Sequence, residues 1–234
     1  MYPFFRAANR SHVGLSEYSY PSQLHSLAAY IKQPRFPLAF MQFLYKSCHS
    51  EEQIAPSTIE EYPAFDGVIK VHHSAVATFY APSDLSGSGG LWRERIRSTP
   101  NFFGRPRCDT VFVVTDNSQP GMEGMEIGRI LLFFSFEYRR KNFSCALINW
   151  FVHTDERDPD TGMWVVEQEF DHHGEPTLEV IHLDAIARAA HLLPVYGASR
   201  VPEDFDYHAA LDTYHSFFVN HYIDHHAHEF IGRK

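Results

Sequence analysis

The sequence predicts an α+β protein: a mainly antiparallel, twisted β-barrel or sandwich with an N-terminal helical pair and a C-terminal helix. Segments rich in Val, Ile, Phe and Tyr, interrupted by Gly, Pro, Asn and Asp, dominate residues 108–151. Apolar residues at helical spacing occur near the two ends of the chain. An aromatic content of 15% also favours a packed core over a disordered chain.

The N-terminal part is predicted to contain two helices. Residues 1–20 have no apolar period, so we expect a poorly ordered arm. Pro21 begins a helical pattern where proline is tolerated, and Pro37 begins a second amphipathic segment that ends near Cys48. A polar linker follows. The chain divides into an arm (1–20), a helical segment with its linker (21–63) and a β-rich domain with the C-terminal helix (64–234).

The β-rich part begins with alternating, β-branched residues between Gly67 and Pro82. This pattern predicts strands with a break at His73–Ser74. The Gly-rich residues 84–90 that follow do not end in Gly-Lys-Ser/Thr and lack a βαβ frame, so neither nucleotide-binding motif applies. A flexible connection is the prediction there.

Three central strands are predicted at 110–114, 127–138 and 143–152. A turn at Pro120–Gly121 and a basic hairpin at Arg139–Asn142 connect them. Because the residues around Phe133 are almost continuously apolar, the second strand should be covered on both faces.

The C-terminal third is predicted to add strands and a final helix. Residues 162–168 form a strand, and residues 177–197 form a strand, a short helical turn and a strand-like exit at 191–196. Residues 206–230 have an apolar stripe at helical spacing, which predicts one helix. The stripe consists of Leu211, Tyr214, Phe218 and Tyr222.

Charge and cysteine content restrict the class of protein. The net charge of −9, with 16 His uncounted, provides no overall basic field, so any contact with nucleic acid must be local. Cys48, Cys108 and Cys145 are odd in number and form no C-x-x-C pair, which indicates reduced thiols. With no signal-peptide pattern and no run of 18 apolar residues, we expect a nuclear or cytoplasmic protein that is neither secreted nor membrane-spanning.

The largest cluster of arginines lies between Trp92 and Arg107. Guanidinium groups suit bidentate binding of phosphate, so this segment is the candidate nucleic-acid contact. A solvated face with salt bridges is the alternative interpretation. The five arginines are Arg93, Arg95, Arg97, Arg105 and Arg107.

The predicted C-terminal helix also carries a candidate metal site. Four side chains would fall on one helical face at positions i, i+3, i+4 and i+7, a spacing that zinc or another divalent metal can use. A solvated His-rich surface is the alternative, since no H-E-x-x-H motif and no nearby cysteine support the site. The acidic loop 155–160 lacks the EF-hand spacing for calcium. The four candidate ligands are His221, Asp224, His225 and His228.

Several stretches together resemble the C-terminal region of the transposase-like proteins of Plavaka-type fungal DNA transposons. They occur in the same order and cover most of the chain from about Pro21 onward. The resembling stretches are PRFPLAFMQFLY, ATFYAPSDLSGSGGLWRERIRS, CDTVFVVTDNSQPGMEGMEIGRILLFFSF, CALINWF, DPDTGMWVV, VIHLDAIARAAHLLPVYG and FFVNHYIDHHAHEF.

This resemblance implies a module without the catalytic domain, because the acidic triad of such transposases would lie upstream. No catalytic residue is therefore carried over. The match includes Arg93, Glu94 and Arg97, which favours a role for the basic segment. The chain departs from the family pattern at His221 and His228, which weakens the metal hypothesis.

A looser resemblance is to the bromo-adjacent homology type of β-barrel found in chromatin proteins. It is carried by VFV, a Pro/Gly turn, a strand with GRI and a strand ending INWF. It implies an aromatic groove of Trp150, Phe151 and Trp164 that could bind a peptide bearing methylated lysine by cation–π attraction. Burial of these rings in the core is the alternative.

The leading functional hypothesis is a non-catalytic accessory module of a transposase-derived protein that contacts DNA or chromatin. Two alternatives stay open. One is a protein-interaction or oligomerisation module that binds a partner or itself, and the other is a metal-dependent enzyme that uses the C-terminal histidines. The leading hypothesis requires no cofactor.

Overall fold

The structure, a computed structural model, describes residues 12–14, 16–17, 19–49, 62–81, 90–197, 201, 203 and 205–231. Its strands are β1 (His12–Val13), β2 (Ser16–Glu17), β3 (Ile69–His72), β4 (Ser74–Tyr80), β5 (Leu91–Phe102), β6 (Arg105–Cys108), β7 (Thr110–Val114), β8 (Met125–Tyr138), β9 (Lys141–Arg157), β10 (Trp164–Gln168), β11 (Leu178–His182), β12 (Ile186–Ala190), β13 (Leu192–Pro194) and β14 (Ser216–Val219). Its helices are α1 (Leu24–Tyr30), α2 (Phe36–Cys48), α3 (Ala210–Thr213) and α4 (His225–Ile231), and 3₁₀ turns lie at Gly121–Gly124, Leu183–Ala185 and Tyr207–Ala209.

The long hairpin of β8 and β9 is the centre of the main sheet. β8 and β9 pair with each other along one edge of each strand. The free edge of β8 pairs with β7 and β3, and the free edge of β9 pairs with β11 and β10. The sheet continues through β12 on one side and through β14 and β13 on the other. This antiparallel sheet curves into a nearly closed barrel, which confirms the predicted fold class. A smaller sheet in the order β1-β4-β5-β6 packs against its inner face.

The central strands lie where the sequence predicts them. β7 has the predicted bounds, whereas β8 and β9 extend beyond theirs by two to five residues at some ends. The predicted coverage of β8 on both faces is confirmed. Ile130 and Phe133 pack towards β4 and β5 on the inner face, and Phe134 and Phe136 pack beneath α1 and α2 on the outer face.

A β-bulge in β8 makes this double coverage possible. The register against β9 shifts between Ile130 and Leu132, so one extra residue is accommodated and the alternation of side chains changes face. The buried hydroxyl of Ser98 on β5 donates a hydrogen bond of 2.8 Å to the carbonyl of Leu131. The polar group exposed by the bulge is therefore satisfied by the smaller sheet.

The two N-terminal helices share a hydrophobic core with the main sheet. α2 ends at Cys48 as predicted, and α1 begins three residues after Pro21. The ring centroids of Phe36 and Phe134 are 5.3 Å apart in an edge-to-face arrangement. The short strands β1 and β2 in the predicted arm pair with β4 and β3. Most of the predicted linker, residues 50–61, and all of the Gly-rich residues 84–90 except Gly90 lie outside the described residues.

The predicted C-terminal helix is wrong in its extent. Instead of one helix over 206–230, the chain forms a single helical turn, then β14, then α4 over His225–Ile231. Phe217 and Val219 are fully buried where β14 pairs with β10 and β13. Tertiary pairing of these β-forming residues overrides the helical spacing of the stripe. No helix in the described ranges has the length and apolarity to cross a bilayer.

A buried arginine joins the smaller sheet, the main sheet and the C-terminal segment. Arg188 on β12 has a side chain that is only 3% exposed. Its guanidinium donates a hydrogen bond of 2.8 Å to Asp224, lies 3.7 Å from a carboxylate oxygen of Glu94 on β5 and stacks 4.8 Å from the ring of Phe79 on β4. One side chain therefore contacts three separate parts of the chain.

The two carboxylates around Arg188 also hold backbone groups. Glu94 accepts the backbone N–H of Ala189 on β12 at 3.0 Å, which satisfies a donor on the strand at the end of the main sheet. Asp224 accepts the N–H of Ala227 at 2.6 Å and so caps the first turn of α4. Loss of the arginine would leave both carboxylates without their counter-ion.

We expect Arg188→Met to lower the free energy of unfolding by about 2–3 kcal/mol, because it leaves two partly buried carboxylates without a cation. The triple variant R188M/E94Q/D224N should recover most of this loss, since the amide oxygens can still accept the N–H groups of Ala189 and Ala227. Urea unfolding of the three proteins measures both effects. A triple variant less stable than R188M would contradict this account.

The tight turn of the β8–β9 hairpin offers a stabilising substitution. Tyr138 pairs with Lys141, and the two residues between them have φ angles of +50° and +62°. A two-residue turn with both φ angles positive favours Asn-Gly. We expect R139N/R140G to raise the stability by about 1 kcal/mol, or the melting temperature by about 2–4 °C, in thermal unfolding by circular dichroism. An unchanged or lower melting temperature would show that the arginines carry no strain.

Candidate functional site: the arginine hairpin and its cleft

The basic segment of the sequence folds into the β5–β6 hairpin. Side chains alternate along a strand, so Arg93, Arg95 and Arg97 share one face of β5. Glu94 and Ile96 point to the opposite, more buried face. We call the first three residues the arginine row.

The arginine row is the part of the hairpin with the least charge compensation. Among the described residues, no carboxylate oxygen lies within 4 Å of these three guanidinium groups. Arg95 donates a hydrogen bond of 3.1 Å to the hydroxyl of Ser74. Arg97 lies 4.9 Å from the centroid of Phe102, whose ring also contacts Arg107 at 4.7 Å. Two cations thus flank one aromatic ring at the end of the row.

A cleft of about 560 Å³ opens beside the hairpin. It lies between β5 and β6, the strand β12 and the segment from His208 to Asp224. Five guanidinium side chains contribute to its lining, and apolar side chains including Leu211 and Phe217 form part of the remaining wall. The five are Arg95, Arg105, Arg107, Arg129 and Arg188.

Four of the cleft arginines are paired with carboxylates. Arg105 pairs with Asp206 at 2.9 Å, Arg107 with Asp109 at 2.6 Å, Arg129 with Asp212, and Arg188 with Asp224. The Arg105 and Asp206 side chains are both more than half exposed, so this pair contributes little stability and can open. The cleft is thus closer to neutral than its number of arginines indicates.

Burial and pairing set the charges of the cleft. Burial raises the pKa of Glu94, and the nearby Arg188 charge and the Ala189 N–H reduce that rise without cancelling it. Burial alone would raise the pKa of Asp224, but its hydrogen bonds from Arg188 and Ala227 outweigh this effect and lower it. Burial raises the pKa of Cys108, so this thiol stays protonated at neutral pH. The described cysteines are all free thiols.

The five predicted phosphate-contacting arginines come together on this one hairpin. Arg95, Arg105 and Arg107 line the cleft, while Arg93 and Arg97 lie on the row outside the cleft lining. The sequence interpretation missed Arg129 and Arg188, which also line it. Arg188 is the single charged residue in the otherwise apolar strand β12, a pattern that indicates a buried charge with a specific partner.

The predicted aromatic groove is not formed by its three residues together. Trp150 and Phe151 are neighbours on β9 and therefore point to opposite faces of the sheet. Trp150 is buried in the inner core and donates a hydrogen bond of 2.9 Å to Glu179, whereas Phe151 is buried in the core beneath β14 and α4. Trp164 is covered by Arg157, whose guanidinium lies 4.3 Å from the ring centroid.

The four predicted metal ligands do not share one helical face, because α4 begins only at His225. His221 and Asp224 precede α4, and Asp224 is engaged by Arg188. His221 and His228 do approach each other, with ring centroids 5.5 Å apart. Across the described residues, no group of three or more His, Cys, Asp and Glu side chains is arranged to hold a metal ion.

No protein-family model matches this chain, and comparisons with curated proteins and with solved structures found no match. The fold and the site together define a nearly closed, antiparallel β-barrel-like protein with an arginine-rich hairpin at the edge of a cleft.

The buried His221 should make the stability of the protein depend on pH. Burial lowers its pKa below the ordinary value of 6.5, and the neighbouring charges of His228 and Arg157 lower it further. The unfolded chain then binds the proton more tightly, so the stability contribution is complete above about pH 7 and is lost as the pH falls below 6.5.

We therefore expect H221Q to lose less stability than the wild type between about pH 7 and pH 5, measured by urea unfolding at both pH values. His182 and His191 also have lowered pKa values, so part of the pH dependence should persist in H221Q. Identical profiles for H221Q and the wild type would refute the role of His221.

Proposed function

We propose that this chain is a non-catalytic accessory module that binds nucleic acid through the phosphates, with the arginine row as the contact. The observation that carries the proposal is the alignment of Arg93, Arg95 and Arg97 on one strand face, with no carboxylate within 4 Å among the described residues. Guanidinium groups without a counter-ion are suited to bind phosphate bidentately.

The spacing of the row supports the same proposal. Side chains two positions apart on a strand are separated by about 6.6–6.8 Å. This is roughly the axial length of two nucleotides in one strand of B-DNA, at about 3.4 Å each. A nucleic acid strand running parallel to β5 can therefore present phosphates to successive arginines.

The surrounding charges restrict where a polyanion can bind. With a net charge of −9, the chain as a whole repels nucleic acid, so contact depends on the local row and on the exposed Arg105, whose pair with Asp206 can open. Binding should therefore be moderate and steeply dependent on salt.

The resemblance to the C-terminal region of Plavaka-type transposon proteins favours DNA or chromatin as the partner. On this proposal the module holds DNA in the nucleus while a catalytic domain elsewhere performs the chemistry. The match of Arg93 and Arg97 to that family pattern falls on the row itself.

Fluorescence anisotropy with a labelled duplex at several salt concentrations tests the proposal. The variant R93Q/R95Q/R97Q should weaken binding on every sequence and reduce the slope of log K against log salt by about 2–3, since each lost phosphate contact removes roughly 0.9.

A matched control removes the same charge elsewhere. R139N/R140G/K141Q neutralises three cations in the β8–β9 turn region and should leave binding nearly unchanged. Wild-type binding that does not vary with salt, or equal losses in the two triple variants, would refute the arginine row as the contact.

A further inference from the structure

The tip of the β5–β6 hairpin presents an aromatic ring to solvent. Phe103 is 92% exposed, the highest value among the large apolar side chains in the described ranges. Phe102 pairs with Arg105, so Phe103 and Gly104 form a two-residue turn. A phenylalanine in this position gains no burial that could stabilise the fold.

The backbone of Phe103 is also unfavourable for its side chain. Its φ is +53°, followed by +85° at Gly104, and the first position of such a turn favours Asn, Asp or Gly. The Asn101 side chain accepts the N–H of Gly104 at 2.9 Å and holds the turn closed. A bulky ring is thus kept in a left-handed conformation, exposed to solvent, at a local cost.

Cations surround the base of this tip. Arg97 and Arg107 flank the ring of Phe102, and Phe102 contacts Phe103 edge to face with centroids 4.6 Å apart. Arg105 follows on the strand that leaves the turn and is exposed. The tip therefore combines an exposed aromatic ring with positive charge, and it continues the arginine row along the same strand.

From this arrangement we propose that Phe103 stacks on an unpaired base of single-stranded nucleic acid whose phosphates lie along the arginine row. This inference rests on the proposed function and specifies its substrate class. Binding of single strands combines a basic track for the backbone with aromatic rings for the bases. Bases inside a duplex are already stacked and do not offer a free face to the ring without unstacking.

Phe103→Asn separates binding from folding, because it creates the Asn-Gly sequence that this turn favours. The variant should be at least as stable as the wild type in thermal unfolding. Its affinity for a fluorescein-labelled oligothymidylate of about 16 nucleotides should fall about 5- to 100-fold, with an unchanged salt slope. Its affinity for a duplex of the same length should change about twofold or less.

Two further variants complete the experiment. Phe103→Trp should retain binding, and its fluorescence should be quenched when oligothymidylate is added, as stacking requires. The control Phe170→Ala removes an exposed ring that stacks on His215 just after the end of β10, outside the arginine hairpin, and it should leave binding unchanged.

The outcomes distinguish this inference from the proposed function. If F103N binds oligothymidylate like the wild type while R93Q/R95Q/R97Q does not, the stacking role is refuted and the phosphate contact stands. If neither oligothymidylate nor duplex binds the wild type, both are refuted. If F103N instead loses binding to vesicles with about 30% anionic lipid, with no effect on oligothymidylate, the ring inserts into membranes and the inference is overturned.

Discussion

The interaction of Arg188 with Glu94 and Asp224 is the constraint on which the relative placement of the three parts of the protein depends. The guanidinium is almost completely buried, so it must be neutralised where it lies. Its two carboxylate partners come from β5 and from the residue preceding α4. Because this buried charge pairs with both carboxylates, it links the smaller sheet and the C-terminal segment to β12.

Side chains also form hydrogen bonds with backbone groups that regular strand pairing leaves without a partner, at the end of the main sheet and at the β8 bulge. β12 is at one end of the main sheet, and Glu94 accepts the N–H of Ala189 there. At the β8 bulge, Ser98 performs the corresponding role for the carbonyl of Leu131. The Glu94 carboxylate and the Ser98 hydroxyl both belong to β5. This strand of the smaller sheet therefore completes the hydrogen bonding of the main sheet through its side chains.

The same strand separates two kinds of arginine. In the cleft, Arg129 and Arg188 are matched to carboxylates, so their charge positions secondary structure. On the solvent side, the arginine row has no such carboxylate among the described residues. Strand alternation thus places Glu94, the partner of Arg188, and the arginine row on opposite faces of β5, and the exposed row can vary without disturbing the pair that holds the fold.

The sequence by itself determined the fold class, the three central strands, the start and end of α2 and the clustering of the arginines in one segment. These features follow from local composition, periodicity and turn residues. Only the tertiary structure decided that Phe217 and Val219 form a strand, that Trp150 and Phe151 face opposite cores, and that Asp224 binds Arg188. Each of these outcomes depends on partners distant in the chain, and spacing along a sequence carries no information about which distant strand or charge will be adjacent in the fold.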